Sequence, residues 1–124
     1  MIFFFFGLIS QDFASVFASG VGLLLTPVTL STAPTFKTFS QADNRTQTTK
    51  QDYCTQPVNL AGLPAVTVPV RLAGQHDLPV SVQLIGPMRK ERRLLDVAQV
   101  LEDNFRFPYM EFCLLYTSPS PRDS

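Results

Sequence analysis

Residues 51–70, QDYCTQPVNLAGLPAVTVPV, limit what this chain can fold into more than any other stretch. Residues 52–61 read as a short helix with Pro57 in or near its first turn, where a missing N–H leaves nothing unpaired. Gly62 can take the left-handed conformation that ends a helix, and Pro64 prevents the helix from resuming. Residues 65–72, AVTVPVRL, are rich in β-branched side chains and read as a strand. Pro69 cannot donate to a ladder, which places an edge or a bulge there. LAGQHDLP carries turn residues, and PVSVQLIG then alternates, with Val80, Val82 and Leu84 on one face. The two runs therefore form a hairpin fed directly by a helix.

The flanks add helices and one more strand. Residues 8–19 place Ile9, Phe13, Val16 and Phe17 on one helical face, with Asp12 in the first turn and Gly20 as the residue past the end. Val21 to Leu25 is an unbroken apolar run, as in a strand buried on both faces, and Pro27 ends it. Residues 28–51 form a long polar connection of the kind that is either functional or disordered. Residues 91–105 are the clearest helix, with Leu94, Ala98, Leu101 and Phe105 along one stripe. Arg89, Lys90, Arg92 and Arg93 crowd its start; they read as a solvated face, with RNA contact as the alternative. The order of elements is α/β, with flanking helices on a mixed sheet. Its core is incomplete, because a strand such as 21–25 needs neighbours on both sides.

Composition removes several function classes. Ten Lys and Arg balance ten Asp and Glu, so no net field draws the chain to nucleic acid or to an acidic membrane. Cys54 and Cys113 have no CxxC spacing and make neither a zinc site nor a disulfide framework. His76 stands alone in a polar turn, and no metal site is expected. No GxSxG elbow, phosphate loop or HExxH motif is present, so no catalytic residue is assigned within this chain. The apolar run after Met1 is too short to span a bilayer, and residues 1–7 read as a leader foreign to the domain. Phe3 to Phe6 fits a translated polypyrimidine tract, with a core strand or the start of a helix as the alternative. Residues 113–124, CLLYTSPSPRDS, are expected to be disordered. They read as the translation of a sequencing-library adapter, the alternative being a natural tail with a Ser-Pro phosphorylation site. The domain proper is thus expected over residues 8–112.

Thr26-Pro27, then Asp52 before Asn59-Leu60-Ala61-Gly62-Leu63-Pro64, then Leu78-Pro79 and Ile85-Gly86, form an ordered set of words. Together with Leu94-Leu95 in the closing helix, they resemble the C-terminal third of the amidase-signature family. Three departures stand out: Gly22 where the family usually has Asp, Val28 where Thr or Ala is common, and Ser81 where Gly is usual. The resemblance implies a partial amidase-signature fold and a Ser–Ser–Lys triad that forms an acyl-enzyme and releases ammonia. Those triad positions lie upstream of the matched region, and Lys37, Lys50 and Lys90 do not fit them. The loop words of residues 43–64 are similar to the mitochondrial, tRNA-dependent amidotransferase branch of the family. In that branch the glutamine-hydrolysing A subunit works with the B and C subunits as a heterotrimer, and the ammonia converts Glu-tRNA(Gln) to Gln-tRNA(Gln). ATP and Mg act in the partner subunit, tRNA is met through it, and the location is the mitochondrial matrix.

One binding role carries over by resemblance. Asp52 holds the position whose carboxylate pairs with the α-ammonium of glutamine; the alternative is a helix N-cap alone. Gln56 and Asn59 are weaker candidates for the same pocket. Thr26 closes the pocket or packs in the core, and Pro27, Gly62 and Pro64 are structural members of the motif. Two other outcomes remain open: a part of a different amidase-signature hydrolase acting on fatty or small amides, and a non-enzymatic product.

Overall fold

A computed structural model describes residues 2–41, 43–74 and 77–108, with side chains from residue 7 onward. Its elements run α1 (Ile2–Ala18), β1 (Leu24–Pro27), α2 (Phe36–Gln41), α3 (Asn44–Gln51), α4 (Gln56–Ala61), β2 (Ala65–Ala73), β3 (Leu78–Ile85) and α5 (Glu91–Phe105). The strands form a three-stranded sheet in the order β1-β3-β2. Both pairings are antiparallel, with Leu24 opposite Ile85 and Val66 opposite Leu84.

The hairpin forms as expected, and Pro69 marks the bulge: the β2–β3 register shifts between Pro69 and Arg71. Gly74 and Asp77 frame its turn with positive φ angles of 81° and 48°. His76 lies outside the described residues, as do Cys113 and the whole tail from 109 onward.

The register sorts side chains onto two faces. Val66, Val68, Val82 and Leu84 share one face, and α5 covers it with Leu94, Ala98, Val97 and Leu101. Leu24, Thr26, Gln83 and Ile85 share the other. Ile9 and Phe13 of α1, Leu24 and Pro57 line one common cavity, so α1 and α4 lie on this second face. Val58, Ala61 and Ile85 are buried there. The result is helices on both faces of a sheet, the α/β arrangement expected.

Five local expectations are corrected. The short helix read over residues 52–61 begins only at Gln56, with 52–55 forming a turn. The α1 helix starts at Ile2, not at residue 8, so Asp12 sits well inside it and gains nothing from the N-terminal dipole. The strand in residues 21–25 is shifted to Leu24–Pro27 and is half-exposed, with Leu25 59 % exposed. It is an edge strand here because β3 is its only neighbour in the described sheet. Pro27 sits inside this edge strand, where its missing donor is harmless. Residues 28–51 are not a plain loop, since α2 and α3 lie within them. Thr and Gln have middling helix propensity, but Asp43 caps α3, accepting from the Thr46 amide at 3.1 Å.

Arg93 lies against one departure from the family words. A Cβ placed on Gly22 would lie 2.8 Å from Arg93 Nη2, so the guanidinium rests on the glycine backbone. One member of the basic cluster is therefore turned onto its own chain. Gly22→Asp is expected to bring a carboxylate to that guanidinium once the exposed Arg93 end swings aside. The ion pair stabilises by about 0.2–1 kcal/mol, with a similar gain from restricting the unfolded glycine. Urea unfolding at low and high salt separates the two: the ion-pair part shrinks with salt, and Gly22→Asn retains only the salt-independent part.

Candidate functional site

The site is built where α3 hands over to α4. Asp52 follows the last residue of α3, and its N–H donates to the Thr48 carbonyl at 2.9 Å. Its own carbonyl accepts from the Thr55 amide at 3.1 Å and from the Gln56 amide at 2.8 Å. Asp52 is thus a C-cap of α3 whose main chain also serves the start of α4, rather than a side-chain N-cap. Pro57 falls in the first turn of α4. Gly62, at φ 67° and ψ 32°, closes α4 with its N–H on the Asn59 carbonyl at 3.2 Å, while Leu63 N–H reaches the Val58 carbonyl at 3.3 Å. That pair of bonds is a Schellman closure, and it needs the left-handed residue glycine supplies. Pro64 then accepts the Gly86 N–H at 2.9 Å, which pins the helix exit to the end of β3.

A cleft of about 550 Å³ opens between α3 and the start of α4. Arg45, Thr48, Thr49 and Asp52 line one wall, and Tyr53, Gln56 and Pro57 line the other. Asp52 is half-buried, and its carboxylate takes no hydrogen bond from any described residue. That acceptor capacity belongs to a residue that lines the cleft. Arg45 offers a cation across the same space, and Tyr53 an aromatic face, 67 % exposed. An α-amino acid, with an ammonium and a carboxylate on one carbon, matches those opposite charges.

Of the binding residues expected from sequence, Asp52 and Gln56 meet in this cleft. Asn59 does not line it and is exposed on α4. Thr26 lies on the sheet and does not line the cleft, and Pro27 is exposed at its edge. Three residues are not evident from the sequence. Arg45 and Tyr53 fall in or beside a stretch that reads as a loop. Positions 45, 48, 49 and 52 nonetheless follow i, i+3, i+4, i+7, the signal of a shared helical face. The third is Gln83, only 4 % exposed, whose Nε2 donates to Thr26 Oγ1 and to the Cys54 carbonyl, each at 3.0 Å. Nothing in the strand pattern singles out this glutamine from its apolar neighbours. Among the described residues no group of three His, Cys, Asp or Glu side chains could hold a metal, and no helix is long and apolar enough to cross a membrane.

Comparison with known proteins points the same way. A family model described as Amidase matches residues 6–95. The mitochondrial glutamyl-tRNA(Gln) amidotransferase A subunit from Ixodes scapularis is 51% identical over 107 residues, covering 86% of this chain and 21% of that protein. The proteins of the same name from Ornithorhynchus anatinus and Rattus norvegicus are 50% and 48% identical, over 82% and 84% of this chain and 19% and 20% of their own lengths. The chain spans about a fifth of the length of these curated relatives.

Proposed function

Because this chain belongs to the amidase family, we propose that it is a segment of the glutamine-hydrolysing A subunit of a mitochondrial glutamyl-tRNA(Gln) amidotransferase. The observation that carries this reading is the open, half-buried carboxylate of Asp52 in the α3–α4 cleft. A fatty amide has no cation to match it, whereas free glutamine has an α-ammonium. Arg45 offers a partner for the α-carboxylate of the same substrate.

The bond-breaking residues, a Ser–Ser–Lys triad, come from sequence outside this chain. The serine oxygen attacks the side-chain amide carbon of glutamine, the C–N bond breaks, and ammonia leaves. Water then cleaves the ester to release glutamate. The role of this segment is to recognise and orient glutamine, and alone it is inactive. The ammonia passes to a partner subunit that uses ATP and Mg to activate Glu-tRNA(Gln), in a complex with the B and C subunits in the matrix.

The test uses the full-length amidase subunit with residues 8–108 of this chain as its matching segment, assembled with its partners. With glutamine labelled with nitrogen-15 at the side-chain amide, the label is expected in Gln-tRNA(Gln). Ammonia release from a fatty amide, with none from glutamine, would place the segment in another branch of the family.

A further inference from the structure

Gln83 is the one buried polar residue among the described side chains, and its partners join parts of the fold that are far apart in sequence. Nε2 carries two hydrogens and has two acceptors, Thr26 Oγ1 on β1 and the Cys54 carbonyl in the turn between α3 and α4, both at 3.0 Å. An apolar side chain would fill this place beside Ile85 with less desolvation cost, so the amide serves something beyond packing. What it holds is the turn that carries Asp52. The α3 helix has no fully buried residue, so its own packing seats it only weakly. The turn's other hydrogen bonds are local, running between Asp52 and residues 48, 55 and 56. They set its shape but not its place over the sheet. Buried Val58 and Ala61 seat α4, which follows the turn, on the sheet, and the Cys54 tether, two residues from Asp52, fixes the turn itself there.

We infer that Gln83 is a positioning residue for the substrate-binding carboxylate of Asp52, acting through the Cys54 carbonyl. This inference rests on the reading of Asp52 as the ammonium partner of glutamine. The test is made in the full-length amidase subunit carrying residues 8–108 of this chain, assembled in its complex. Gln83→Met keeps the side chain's length and removes both donors. It is expected to raise the KM for glutamine about five- to tenfold, as loss of a neutral hydrogen bond implies, with kcat changed less. Gln83→Glu, which cannot supply both donors, moves KM in the same direction and serves where the Met variant folds poorly. Thr26→Val leaves the Cys54 bond in place and has the smaller effect. In an Asp52→Asn background Gln83→Met adds little, because the group it positions is already gone. The inference is overturned if Gln83→Met leaves KM unchanged while Asp52→Asn raises it, or if the two effects multiply. A normal KM in Asp52→Asn alone overturns the Asp52 reading itself, and this inference with it.

Discussion

Asp52→Asn raises the KM for glutamine by about 10- to 100-fold in the assembled enzyme, with a smaller change in kcat. The magnitude follows from the interaction removed: a charge-assisted hydrogen bond to an ammonium contributes about 1.5–3 kcal/mol, and each 1.4 kcal/mol is about tenfold. Asparagine keeps the size of the side chain and offers a neutral oxygen, so the change is one of charge rather than of shape. The substitution separates binding from folding, because Asp52 serves the fold through its main chain. Its N–H and carbonyl hold Thr48, Thr55 and Gln56, while the carboxylate holds no described residue. Stability is therefore expected to stay within about 0.5 kcal/mol of the parent. Initial rates of glutamate release against glutamine concentration decide the matter, and an unchanged KM would remove Asp52 from the substrate site.

Leu94→Ala costs about 2–5 kcal/mol of folding stability, the second large effect expected. Leu94 is 3 % exposed and packs with Val68, Leu84 and Ala98 between α5 and the sheet. Its Cδ1 lies 3.6 Å from where a Cβ on Gly86 would sit, so the helix approaches the end of β3 closely. The rigid sheet cannot collapse into the space a leucine leaves, and the cavity adds to the forfeited burial. Leu95 is the internal control: it is the next residue along the chain and is 59 % exposed. Leu95→Ala is expected to cost about 0.5 kcal/mol or less. Leu94→Met, which keeps most of the volume, should cost less than about 1.5 kcal/mol. Urea unfolding of the three variants reads the contrast directly. Equal costs at 94 and 95 would mean that α5 is rotated away from this packing.

The hydrophobic patterns alone carried much of this architecture. Val80, Val82 and Leu84 alternate, and Leu94 and Ala98 recur at helical spacing, so β3 and α5 could be read with their inward faces. Pro69 and Gly62 could be read too, because one lacks a donor and the other tolerates a positive φ. Periodicity failed where no apolar face exists. The α3 helix has no fully buried residue, so NRTQTTKQ carries no core stripe, and its ends are set by the Asp43 and Asp52 caps. Half of the cleft wall stands on that helix and was hidden with it.

Asp52 as a candidate ligand came from family resemblance; local chemistry determined the helix-to-hairpin passage, the register-breaking proline and the face of α5. These depend on backbone freedom, donor count and spacing, all of which are properties of neighbouring residues. The tertiary structure alone decided that Arg45 and Tyr53 share the cleft with Asp52, that β1 lies at an edge, and that Gln83 reaches Cys54. The Gln83 bond to Cys54 spans 29 positions along the chain, and Thr26 stands 57 from the same side chain. Bonds of that reach form only when the sheet and the turn are already stacked. No short-range pattern of residues encodes them.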